Sequence, residues 1–233
     1  MSCKPKLVAV ILITLSVWLC KLWWFNELNY YILPRFNILA LITSIFGIIS
    51  GSLMIFRVNI FETVAQSVSR ENLISWLVFT MIIFVAQPAP LSSESVTQRG
   101  VETDLSQVQV STPVDFSIDS AQRRFADWIK ILSTSDNVRQ FSGEAVQVTG
   151  FVYRPKEALE TEFLLARFVI RCCSADARPV VLRVKTDQAM GLKPDTWITL
   201  TGQWQTDADP SQPLYVAVKT LQIVDQPIDP YIY

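Results

Sequence analysis

The chain has 233 residues, half of them apolar, with a formal net charge of −1 and a mean hydropathy of +0.31. That hydropathy is high for a soluble protein and low for a many-helix transporter, so only part of the chain belongs in lipid. Residues 1–90 carry six Lys/Arg and three Asp/Glu, and the remainder fourteen and eighteen, which leaves no basic tail for nucleic acid.

The membrane half comes first, with three apolar stretches predicting spans at about 7–25, 36–56 and 73–90. In the first, Leu7 to Leu19 precedes Lys21 and the cluster Trp23, Trp24, Phe25, an aromatic end suited to the bilayer interface. A cleavable signal peptide is the competing reading, but bulky Leu19 and Trp23 stand where cleavage needs small residues. Phe36 to Phe56 is wholly uncharged and contains Gly47-x-x-x-Gly51 flanked by Ser44 and Ser50, a spacing that lets another helix approach closely. Leu73 to Ala86 is shorter and needs Gln87 to Pro90, with tilt or local bilayer thinning, to cross; a re-entrant or surface helix is the alternative.

Lys4, Lys6, Arg57 and Arg70 would lie on one side of the membrane and Lys21 and Arg35 on the other. The positive-inside rule then puts the N-terminus in the cytoplasm, and three crossings put the C-terminal domain outside it; two crossings would reverse that.

Residues 91–115 are rich in Pro, Ser, Thr, Gln and Val and read as an extended linker. Residues 116–233 form the soluble domain. There Ala121, Phe125, Trp128, Ile129 and Leu132 recur at helical spacing, and Asp119 or Ser120 can cap the helix. Five strand-like runs follow: Glu144 to Tyr153, Glu162 to Cys173, Pro179 to Lys185, Trp197 to Gln205 and Leu214 to Val224. Pro155, Asp176, Pro194, Asp207, Pro210 and Pro213 fall between them. The fold class is therefore N-terminal transmembrane helices plus a small all-β domain, a five-stranded barrel like the oligonucleotide/oligosaccharide-binding (OB) fold with one preceding helix. Gly150 and Gly202 suit its sharp bends, and an open sheet is the alternative.

The chain has no histidine. That removes the usual general base, the usual metal ligand and any Ser-His or Cys-His dyad, and argues for a non-enzymatic role. The reactive candidates are Cys172, Cys173 and Asp176, two thiolates and a carboxylate able to take a thiophilic metal such as zinc. On a strand, however, adjacent cysteines point to opposite faces, Cys172 to the core and Cys173 away, so a structural role competes. A membrane-tethered redox role is a further alternative, weakened by the lack of a Cys-x-x-Cys pair. The same alternation suggests that a hairpin gathers Arg167, Arg171, Arg183 and Lys185 on one face, for an anion or an acidic partner or simply for solvent. Phe151, Tyr153, Trp197, Trp204 and Tyr215 are either a stacking platform or core packing.

Several motifs carry a resemblance. Tyr31-Ile32-x-Pro34-Arg35, Pro90-Leu91-Ser92, Gly150-Phe151-Val152-Tyr153 and above all Arg167-Phe168-Val169-Ile170-x-Cys172-Cys173-x-Ala175-Asp176-Ala177 make the chain resemble the YcgQ-like membrane proteins, described as accessory subunits of a two-component permease. The resemblance implies a multi-pass cell-membrane subunit in the lipid bilayer beside a polytopic permease partner. It transfers no catalytic residue. Few intramembrane charges offer the chain a substrate path of its own, which fits a helper rather than a pore. The alternative function is a membrane-anchored anion- or metal-binding module.

Overall fold

A computed structural model describes residues 3–56, 70–101, 119–156, 158–208 and 214–233, which fall into two compact units, Met1–Ala89 and Pro90–Tyr233. Arg57, one of the residues that set the expected orientation, lies outside the described residues, as do Pro210 and Pro213 and the linker from 102 to 115.

The first unit is helical: α1 (Cys3–Trp24), α2 (Asn37–Phe56) and α3 (Arg70–Val85). Lys6–Trp24 and Pro34–Phe56 are long and apolar enough to cross a membrane. The helix approach expected of Gly47 and Gly51 is made within the chain, by α1. A Cβ on Gly47 would stand 2.1 Å from Ser16 Oγ, and one on Gly51 would stand 2.6 Å from Ile13 Cγ1. The third expected span is helical over only part of its length. Its helix has 16 residues, of which the apolar part is Ile74–Val85; at 1.5 Å per residue the whole helix covers about 24 Å, against about 30 Å of hydrocarbon. Pro88 and Pro90 explain the early stop, because a proline lacks the N–H and disfavours helix in the residue before it.

The second unit is built on a closed barrel. Its strands are β1 (Ala145–Tyr153), β2 (Glu162–Val169), β3 (Arg178–Lys185), β4 (Trp197–Thr206) and β5 (Leu214–Ile223), with a short β6 (Tyr231–Ile232). The order is β1-β4-β5-β3-β2, and β1 pairs again with β2 to close the ring. Four of the contacts are antiparallel and β3–β5 is parallel, the circuit of an OB-like barrel. Closure needs tight bends. One lies at Gly202, where the β4–β5 register shifts and a Cβ would meet the Ala217 carbonyl oxygen at 2.2 Å.

The core holds Val146, Val148, Leu165, Leu182, Val184, Leu200 and Trp204 from the strands, and Trp128, Ile129 and Ile131 from the helix Phe125–Thr134. The rings of Trp128 and Trp204 meet edge-on at 5.3 Å, which fixes this helix on the barrel. Asp119 does not cap it: Asp119 accepts from the Ala121 N–H of a separate 3₁₀ turn, while at the start of the helix the Asp127 carboxylate accepts from the Arg124 N–H at 2.9 Å.

The start of the expected linker is structured. Ser93–Arg99 forms a helix, α4, which makes Phe125–Thr134 α5. Ser93 donates from its N–H and hydroxyl to Asp195 at 2.6 and 2.7 Å, Val96 is fully buried, and Gly100 ends the helix at φ 75°. At the other terminus β6 pairs in parallel with β2, through Phe168 with Tyr231 and Val169 with Ile232.

Candidate functional site

Strand β2 ends at Val169, not Cys173. The Asp176 carboxylate accepts from the Arg171 N–H at 3.0 Å and the Cys172 N–H at 2.9 Å, and so closes the connection between β2 and β3 into a turn. That moves the two cysteines off the pleat. Cys172 is exposed and Cys173 half-buried, so the expected core position of Cys172 is corrected. Freed from strand alternation, the two Sγ atoms converge to 3.6 Å, and both lie with an Asp176 oxygen inside a group whose donor atoms are all within 4.8 Å of one another.

Proton affinity is arranged unequally across this group. Hydrogen bonds to Asp176 and then to Cys173, helped by a little desolvation, push the Cys172 thiol up to about 11. For Asp176 burial works upward, but the Cys172 thiol and the backbone N–H groups of Arg171, Cys172 and Cys173 outweigh it and hold the carboxyl below its ordinary value. At neutral pH the group is a carboxylate with a protonated Cys172, and any metal must displace that proton.

The four expected cations do not share a face. Arg183 pairs across the hairpin with Leu164 and Lys185 with Glu162, whereas Arg167 pairs with Val180, in the opposite phase of the pleat. Arg183 forms a two-pronged bond with Glu162 and reaches Asp207 at 2.7 Å; Lys185 binds the same two carboxylates at 3.1 and 2.8 Å. Asp207 and then Glu162 accordingly raise the Lys185 pKa. Arg167 donates to the Asp229, Pro230 and Tyr231 carbonyl oxygens, and burial brings its pKa down to about 10. Only Arg171 of the four lies at the turn, where Arg171, Arg178, Ala175, Asp176, Ala177 and, from α4, Arg99 line an open cavity of about 380 Å³.

Arg99 and Arg178 were not among the expected site residues. Arg99 falls in the stretch read as linker, although a helix stop at Gly100 was there to be seen. Of the aromatic candidates, Phe151, Trp197 and Trp204 are buried, out of reach of a stacking ligand, and Phe151 packs on Phe168 and Trp197 at 5.9 and 5.7 Å.

Fold and site together define an OB-like barrel domain that carries a two-thiol, one-carboxylate cluster at the β2–β3 turn, in a chain with two N-terminal helices fit to span a membrane. Residues 95–233 match the DUF1980 C-terminal domain, and the chain belongs to that family. A search of curated proteins finds no match. Among solved structures, asparaginyl-tRNA synthetase from Pyrococcus horikoshii aligns at 18% identity over 40% of this chain and 24% of that one, with a TM-score of 0.26. The same enzyme complexed with asparaginyl-adenylate gives 18%, 40%, 23% and 0.24. The chain thus spans about a quarter of the synthetase it matches, and a likeness this slight carries no argument.

Proposed function

We propose that this chain is a membrane-anchored, YcgQ-like accessory subunit of a two-component permease, whose barrel domain captures a thiophilic metal ion such as zinc at Cys172, Cys173 and Asp176. The observation that carries the reading is the convergence of the three donors. Two thiolates on a tetrahedral zinc ion, each about 2.3 Å from it, lie about 3.8 Å apart; the Sγ atoms here stand at 3.6 Å. Three protein donors leave a fourth position open, and Cys172 is exposed. That is the form of a site that exchanges its ion, whereas a structural zinc is enclosed by four ligands. The domain lies outside the cytoplasm in this reading, with α3 completing a third crossing by tilt and local thinning of the bilayer. The chain hands its ion to a polytopic partner and performs no catalysis.

The test is native extraction in mild detergent followed by mass spectrometry of associated proteins. A polytopic permease that copurifies supports the accessory role, and a chain that purifies alone from cells expressing both genes contradicts it. Reporter fusions after residue 90 address the side of the membrane separately: an extracytoplasmic signal is expected, and a cytoplasmic one would leave α3 as a re-entrant or surface helix.

A further inference from the structure

We infer that Arg99 is a positioning residue of the metal site: it clasps the β2–β3 turn from α4, so that an ion at Cys172, Cys173 and Asp176 and the seating of α4 on the barrel strengthen each other. The inference rests on the metal site proposed above and adds how its hold on the ion is set and released.

The turn is fastened at two places. Within it, Asp176 accepts from the Arg171 and Cys172 N–H groups, which fixes the residues on the cysteine side. From outside, one terminal nitrogen of Arg99 donates to the Ser174 carbonyl oxygen at 3.0 Å and to the Ala177 carbonyl oxygen at 2.6 Å. These two carbonyls bracket Ala175 and Asp176, at the start and the C-cap of the short 3₁₀ helix Ser174–Asp176. The path of the backbone through that helix sets where the carboxylate stands relative to the two thiols. Arg99 thus acts on the donor geometry through the backbone, and a turn ordered in advance spares the incoming ion the cost of ordering it.

The clasp is as firm as the seating of α4. Just before the helix the Leu91 N–H donates to the Tyr231 hydroxyl at 2.9 Å. At its start Ser93 holds Asp195 through its N–H and hydroxyl and also reaches the Val152 carbonyl oxygen at 3.2 Å, and Val96 is buried at its middle. Arg99 is the last residue of this seven-residue helix, and a helix so short keeps its shape by docking rather than alone. Undocking α4 takes Arg99 off the turn. By linkage, an ion that favours the clasped turn favours docked α4 by the same factor. In the chain, α4 is also the first element after α3, the helix that completes the proposed third crossing. A partner that draws residues 91–99 off the barrel loosens the ion at the same moment, which gives the proposed transfer its trigger.

Competition titration of the full chain in detergent with zinc and a chromophoric chelator, for the wild type, Arg99→Gln and Arg99→Lys, tests this beside hydrogen exchange of residues 91–99 with and without zinc. Zinc affinity is expected to fall about tenfold in Arg99→Gln, through loss of two charge-assisted hydrogen bonds. Arg99→Lys should restore most of it, because an ammonium can serve both carbonyls from one nitrogen. Both variants should melt close to the wild type, since Arg99 is exposed, so that affinity is read on folded protein. Zinc should slow amide exchange in α4 severalfold in the wild type and not in Arg99→Gln. A residue that merely fastens α4 behaves otherwise: its loss quickens α4 exchange and leaves zinc affinity where it was, a result that overturns the clasp while the metal site stands. Exchange in wild-type α4 that ignores bound zinc overturns it as well. No zinc bound by the wild type removes the metal site itself, and the clasp with it.

Discussion

The two ends of the β2–β3 hairpin hold the same kinds of side chain and use them in opposite ways. At the open end of the hairpin, Arg183 and Lys185 are met by Glu162 and Asp207 within 3.1 Å, all four at most 30% exposed, and Lys185 also lies 4.4 Å over the Tyr215 ring. At the turn, three arginines border a cavity, and Asp176 accepts from the backbone N–H groups of Arg171 and Cys172. Charge matched and half-buried holds strands together; at the turn two thiols and a carboxylate lie close together at an exposed position. The contrast is one of placement rather than of composition, and sequence does not display it.

Each end can be broken separately. The largest effect on stability should come from Arg183→Gln, which leaves Glu162 and Asp207 to share Lys185 where they had shared two cations; a loss of about 2 kcal/mol is expected, below the figure for a fully buried pair. Thermal denaturation of the full chain in detergent measures it, and metal binding should be unchanged. Asp176→Asn should cost about 1 kcal/mol, since backbone donors at a partly exposed turn lose a charged acceptor, and should also weaken zinc binding more than tenfold. Chemical denaturation and a competition titration report the two effects.

Acid should act on the turn through the same carboxyl. Because folding lowers the Asp176 pKa, its contribution is complete above the unfolded value, near 4, and is lost as pH falls through the folded one. In zinc titrations between pH 6 and 8 the sign is set by the thiol: with Cys172 at about 11, at least one proton leaves per ion bound, so affinity should rise by at least about tenfold per pH unit. A flat profile would mean that Cys172 is not a ligand. The smallest effect on stability is expected from Cys172→Ser, whose side chain is exposed: an unchanged melting curve, with the zinc response gone.

Much of the barrel was legible because its signals are local. Alternating runs gave five strands whose limits differ from the observed ones by a few residues, and Gly150 and Gly202 marked close backbone approaches. What was not legible depends on contacts distant in sequence. The phase of Arg167 against Arg183 follows from the pairing register, which the hydrophobic pattern of β2 leaves ambiguous because Leu165 and Ala166, and again Phe168 and Val169, are neighbours that are both buried. Strand β6 has two residues and exists only by pairing with Phe168 and Val169. Helix α4 is too short to show periodicity and owes its place to Asp195, far along the chain. The cysteine geometry departs from expectation for one reason: the alternating run through Ile170 to Cys173 reads as strand, and a side chain beyond it, Asp176, draws the backbone into a turn.

The central claim is that Cys172, Cys173 and Asp176 take one metal ion at the hairpin turn. A competition titration of the full chain with zinc and a chromophoric chelator, beside the Cys172→Ser, Cys173→Ser variant, tests it most directly. One zinc per chain, bound in competition with the chelator and absent from the variant while the melting curve is preserved, is the predicted result. Equal zinc in both proteins, or none in the wild type at saturating zinc, would contradict it.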